Sequence, residues 1–147
     1  MTKFKIKVDY DRLLESLVEA GKYDWSHIDI SSELFSKKQK GVSDIVVELI
    51  NFESKKETKM VLEELNKNGL RPADITEILT FGATYPEEQT KYPIVACGSE
   101  WIGTCGGHFV PCLRSGSKGR YLDLYWLGGI WDTYYRFAVV RVEKTPS

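Results

Sequence analysis

Between Cys97 and Cys112 the chain reads CGSEWIGTCGGHFVPC, which gathers all three cysteines and one of the two histidines into sixteen residues. Two chemistries use these residue types. A zinc site would need Cys97, Cys105, His108 and Cys112 to converge tetrahedrally, with bonds of ~2.0–2.3 Å. A cysteine nucleophile would need Cys105 beside His108 as its base. The spacing C-x7-C-x2-H-x3-C lacks the tight Cys-x-x-Cys knuckle of most zinc sites. Gly106-Gly107, set between two alternating runs, predicts a hairpin turn with Cys105 opposite His108 and Cys112 opposite Trp101. Cys105 and Cys112 then stand four positions apart, roughly 13 Å at ~3.3 Å per residue. That distance is too long for a shared metal and beyond the ~7 Å limit for a disulfide. The hairpin reading therefore assigns no metal ligands and no cofactor. It leaves the Cys105/His108 dyad as the alternative chemistry, without an orienting carboxylate, although Gly103, Gly106 and Gly107 offer backbone N–H groups.

Downstream, Arg114–Arg120 reads RSGSKGR, a mixture of glycine, serine and cations of the kind that holds phosphate, but without Walker spacing or a clear following helix. Asp123 and Asp132 flank Trp126 and Trp131 and raise the question of a carboxylate pair for glycoside chemistry. The stronger constellation is aromatic. Ten of the eighteen Phe, Trp and Tyr residues lie in residues 92–147. By the period of two, Leu122, Leu124 and Trp126 share one strand face while Tyr121, Asp123, Tyr125 and Leu127 share the other. Trp101, Tyr121, Tyr125 and Trp131, with Arg114, Lys118 and Arg120 as adjoining cations, form the expected binding surface, because aromatic faces beside polar groups suit recognition.

The elements that must position these residues follow from periodicity. Lys3–Val8 alternates lysine with Phe4, Ile6 and Val8 and predicts a strand. Leu13, Leu14, Leu17 and Val18 predict a helix over residues 11–20, capped by Asp9 or Asp11 and stopped by a left-handed Gly21. DIVVELINF, Asp44–Phe52, reads as an inner strand. Ser54 and Glu57 match a capping box for a helix running to Asn68. Arg71-Pro72 is expected to open a third helix, since proline suits a first helical turn, with Ile75, Ile78 and Leu79 inward; a short helical turn is expected over Glu87–Thr90. Segments 94–98, 100–105, 108–113, 121–127 and 134–142 read as strands.

The predicted architecture is α+β, a mixed or antiparallel sheet with about three helices and a C-terminal β-meander, in one domain spanning residues 1–147 that is helix-rich over 1–90 and β-rich over 91–147. The hydrophobic share of 42% and charged share of 28% are those of a chain that builds a real core. A net charge of −1 argues against nucleic acid as partner, although residues 91–147 carry seven Lys/Arg against four acids. No run approaches the ~20 apolar residues of a membrane span. Together with an N-terminus that lacks a signal-peptide core and an odd cysteine count, this points to a cytoplasmic protein with reduced thiols.

The stretch GLRPADITEILTFGATYPEEQTKYPIVACGSEW, Gly69–Trp101, with VPCL, LDLYW and W...YRFAVVRV further on, resembles a pattern in small uncharacterised bacterial proteins. That resemblance implies a bacterial cytosolic protein and no activity. EWIG and the closing YRFAVVRV are also similar to the strand pattern of C-type-lectin-like domains, without their paired cysteines or calcium loop. The expected function is a small non-catalytic binding or interaction protein, with an unidentified protein or small molecule as partner. The alternatives are a Cys105/His108 enzyme and a zinc protein.

Overall fold

The computed structural model describes residues 2–104 and 106–142. Cys105 and the last five residues lie outside the described residues. In chain order the elements are β1 (Lys3–Asp9), α1 (Leu14–Ala20), β2 (Trp25–Ser26), β3 (Val42–Ile50), β4 (Lys56–Glu57), α2 (Thr58–Lys67), β5 (Leu70–Pro72) and α3 (Ile75–Thr84). They continue as a 3-10 turn (Glu88–Thr90), β6 (Ile94–Val95), β7 (Trp101–Ile102), β8 (His108–Gly116), β9 (Gly119–Trp126), β10 (Ile130–Trp131) and β11 (Arg136–Arg141). The fold is α+β, with three helices on a large mixed sheet.

The sheet runs β1-β3-β11-β6-β8-β9-β2, with β5 paired to β11 and β7 to β8. β8 and β9 form an antiparallel hairpin, and β11 inserts between β3 and β6, antiparallel to the first and parallel to the second. Alternation on β11 sends Ala138 and Val140 into one core and Phe137 and Val139 into the other. That is the pattern of a central strand covered on both faces. The first core lies under α1 and α3, through Leu14, Leu17, Ile75, Ile78 and Leu79; the second lies under α2, through Val61 and Leu65. The β1 pattern is explained by its position: Phe4, Ile6 and Val8 are buried while Lys3, Lys5 and Lys7 are exposed along a sheet edge. Charged edge strands of this kind discourage further pairing. Among the described residues no helix is long and apolar enough to cross a membrane.

Local expectations failed where tertiary pairing outweighed them. Gly21 has φ −74° rather than a left-handed value, which falls instead on Lys22 at φ 51°. Neither Asp9 nor Asp11 caps α1; Leu13 is its N-cap, with no side-chain bond. Ser54 caps nothing, because Lys56 and Glu57 are drawn into a ribbon against Trp131 and Ile130, and α2 starts only at Thr58. Arg71 and Pro72 belong to β5, opposite Val140 and Val139, so α3 opens later, from Asp74. Proline is tolerated there because β5 lies off the main run of the sheet.

Arg120 ties the helices to the hairpin. Its guanidinium donates to the Gly21, Gly82 and Pro86 carbonyls at 2.6, 2.9 and 3.0 Å and to Gln89 Oε1 at 2.9 Å. A fixed cation thus meets the carbonyls that end α1 and α3, where helix dipoles favour positive charge. The same group lies 4.8 Å over the Tyr23 ring. Gly82 makes room for that ring, since a Cβ there would come within 2.1 Å of the Tyr23 hydroxyl. That hydroxyl is buried without a hydrogen-bond partner among the described residues, and burial pushes it up to about 12. An unpaired buried hydroxyl costs stability on the order of 1–3 kcal/mol. Tyr23→Phe is therefore expected to match or exceed the parent by up to ~1 kcal/mol in urea unfolding, whereas Gly82→Ala lowers the midpoint.

Candidate functional site

The expected surface residues separate into three groups. Tyr121 and Tyr125 share a face of β9 with Asp123, beside Arg114 of β8, as the period of two required. Arg114 Nε donates to Asp123 Oδ2 at 2.9 Å, and its guanidinium sits 4.8 Å over the Tyr121 ring. Trp131 is a correction: at 5% exposure it belongs to the second core, not to a contact surface. Its indole donates to Thr58 Oγ1 at 2.8 Å, which in turn donates to the Leu127 carbonyl at 2.8 Å, fastening the 127–135 segment to the start of α2. Trp101 is also displaced, packing from β7 against the first core and thus on the other side of the sheet. Arg120 is committed to backbone carbonyls. Lys118 stays in the exposed turn, where its backbone N–H donates to the Tyr121 hydroxyl.

What the structure adds to Tyr125 and Arg114 is a cleft of about 330 Å³ whose walls include Tyr92, Tyr134 and Tyr135. The buried Trp131 orders it. Trp131 stacks on Tyr125 at 6.5 Å and meets Tyr135 edge-on at 5.0 Å, and Tyr135 carries the exposed Tyr134 in a stack at 4.7 Å. Arg136 lies 4.5 Å over Tyr92. Burial, then the neighbouring Tyr134 phenol, raises Tyr135; burial also raises Tyr125 and Tyr92. The Tyr92 hydroxyl donates to Glu88 Oε1 at 3.2 Å. The Tyr134-Tyr135-Arg136 run was legible as an aromatic-cationic triplet, but nothing in its spacing placed it against β9.

The cysteine cluster does not assemble as a two-residue hairpin. Ile102 pairs with His108 and Trp101 with Phe109, leaving a loop over residues 103–107 closed by Gly103 N–H to the Gly107 carbonyl at 2.8 Å. Gly103 supplies part of this freedom, because a Cβ there would meet the Phe109 ring at 3.1 Å, and Gly106 adopts φ +83°. Cys112 faces Val95 and Asp123, not Trp101. Cys105, the proposed nucleophile, lies outside the described residues. His108 is exposed, with Glu100 Oε1 at 3.0 Å from Nδ1, a carboxylate neighbour that the sequence reading missed. Burial pushes the Cys97 thiol up to about 12 and raises Cys112 as well. Among the described residues no three His, Cys, Asp or Glu side chains group as metal ligands. Asp123 is paired with Arg114, and Asp132 Oδ1 accepts from the Thr133 N–H, so each carboxylate has a local role.

A cavity of about 610 Å³ opens at the start of α3. Arg71 and Asp74 in its wall are each bonded to Glu77 beneath it, while Lys37 donates to the Arg12 carbonyl and Glu100 lies against His108. Asp74 and Glu77 form the capping box of α3, a D-x-x-E signature open to sequence reading and passed over for Pro72. The Glu77 carboxylate, fully buried, accepts from Arg71 Nη1 and Nη2 at 2.8 and 2.7 Å, from the Tyr10 hydroxyl at 2.6 Å and from the Asp74 N–H at 2.9 Å. Burial alone would raise Glu77, yet the Arg71 and Tyr10 donors outweigh it and hold the group below its ordinary value. Burial, then the Glu77 charge, raises Asp74. The two carboxylates therefore act on stability with opposite sign. The Glu77 contribution is complete above its unfolded value and is lost as pH falls through the lower folded one. The Asp74 contribution is complete below its unfolded value and is lost as pH rises through the higher folded one.

Compared with protein-family models, curated proteins and solved structures, the chain matches none.

Three outcomes follow from this geometry. Glu77→Gln loses about 3 kcal/mol at pH 7 in chemical denaturation, because it leaves Arg71 unpaired. Asp74→Asn keeps a capping side chain and equals or exceeds the parent at pH 7, with the difference closing as the pH is lowered through the Asp74 titration. In a Cys105→Ser background, iodoacetamide at pH 8 labels the native protein at least about a hundredfold more slowly than the unfolded one.

Proposed function

We propose that the protein is a non-catalytic binding protein that recognises a partner protein through the tyrosine-arginine cleft of its β8–β9 face. The observation that carries this reading is the ordered set of tyrosines 92, 125, 134 and 135 around Arg114, at the end of a stack rooted in the buried Trp131. Tyrosine and arginine are the residue types that dominate interface energetics, and rings already held in place lose little freedom when a partner docks. Arg114 and Lys91 are already paired with Asp123 and Glu88, which leaves Arg136, held over Tyr92, as the rim cation for a carboxylate or carbonyl of the partner. Tyr134, at 55% exposure, is the residue a partner meets first.

The test uses Tyr134→Ala, which removes an exposed ring without opening the core. A benzoylphenylalanine photo-crosslinker at Ser115, beside the cleft, captures one protein from producing cells. Tyr134→Ala weakens that capture by about tenfold or more while unfolding at the same urea concentration. Equal capture by the variant, or equal yield from a crosslinker placed at Ser43 on β3, overturns the reading.

A further inference from the structure

We propose that a second, smaller cleft, on the other face of the β8–β9 hairpin, is a binding site for an organic cation, an alkylated ammonium group. It encloses about 260 Å³ between the segment after β2 and the β7–β8 loop, with Trp101, Phe109 and His27 as aromatic walls and Asp29 at its side. Trp101 meets Phe109 at 5.6 Å and His27 at 6.4 Å, and Trp25 extends the row by packing edge-on against His27 at 5.9 Å. The rings are held by the fold: Trp101 and Phe109 pack on the first core, and glycines 103 and 107 lie close over Phe109.

The electrostatics of the cleft has one sign. The Asp29 backbone N–H donates to His27 Nδ1 at 3.1 Å, so that ring nitrogen is engaged as an acceptor within the segment after β2. The Asp29 carboxylate, one-third exposed, then has no cation of its own; His27 Nδ1, 3.7 Å away, is the only basic group against it among the described residues. No lysine or arginine lines the cleft. Aromatic faces attract a cation through their quadrupole, and desolvation by the walls strengthens the effect. A carboxylate beside them supplies charge that the rings alone lack. Trp126, directly across the strands from Phe109 and 58% exposed, extends the apolar surface beside the cleft, which favours a cation carrying methyl groups over a strongly hydrated one. The ammonium group reaches such a cleft either as a free small molecule or on a methylated lysine of a partner.

Calorimetric titration of the full chain tests the site with choline and with 3,3-dimethylbutanol, its uncharged isostere. Choline is expected to bind saturably, the isostere about tenfold more weakly or not at all. Asp29→Asn, which preserves shape, is expected to weaken choline several-fold, and Trp101→Phe to weaken it by a smaller factor, with both variants unfolding like the parent. A trimethyllysine peptide that binds more tightly than choline assigns the cation to a protein partner; the reverse order assigns it to a small molecule. Equal binding of choline and its isostere, absence of choline binding, or an unchanged affinity in Asp29→Asn overturns the proposal. The β8–β9 cleft can fail its crosslinking test without affecting this result, since Tyr134 lies outside the walls named here.

Discussion

A single buried carboxylate organises the centre of this molecule. Glu77 brings to one point Arg71 from β5, Tyr10 from the end of β1 and the cap of α3. Desolvating an ion is expensive and is offset only when every lone pair finds a donor in good geometry. Here the bidentate guanidinium, the phenol and a backbone N–H meet that requirement. The consequence is positional rather than merely stabilising: α3, buried over Ile75–Gly82, can be apolar on nearly every side because its one charged inward group has partners waiting on two strands.

The other polar tether, Arg120, works at the far end of the same helix. Between them Glu77 and Arg120 fix α3 at its start and at its finish, and the strand that carries Arg120 is also the one that displays Tyr121 and Tyr125. The two clefts therefore inherit their rigidity from opposite faces of a single hairpin. One is built on the tyrosines outward of the second core, the other on aromatic rings that continue the first.

Much of the frame was legible from spacing. Alternation located β1, β3, β8 and β9 to within a few residues, and the faces of Leu122, Leu124 and Tyr125 were correct because one strand period leaves little freedom. Capping and turn chemistry was less legible where two local signals competed. Ser54-x-x-Glu57 and Asp74-x-x-Glu77 are the same motif, and only the second caps a helix, since Lys56 and Glu57 are claimed by a ribbon formed with residues more than seventy positions away. Proline at position 72 was a sound helix-start signal that lost to pairing with β11. The candidate site was half readable. Tyr125 followed from the period of two and Arg114 was expected only as a loop cation, whereas β8 runs on through it to pair with Tyr121; Tyr134 and Tyr135 reach them only through the burial of Trp131, which composition presented as one more exposed aromatic. The two-residue hairpin at Gly106-Gly107 failed because the strands pair as Ile102 with His108 and Trp101 with Phe109, which sets a longer loop between them.

The place of β11 in the sheet has a temporal meaning. Among the described residues it is the last strand to be synthesised, yet it is the one that joins β1–β3 to β6–β8–β9. Until residues 136–141 emerge, the nascent chain holds two half-sheets whose facing edges are open, each with apolar surface awaiting a cover. Long-range closure of this kind slows folding and lengthens exposure to aggregation. For this chain, then, commitment to the native state is deferred until β11 has been made, and the lysines along β1 guard an outer edge during an interval when the inner edges are still unpaired.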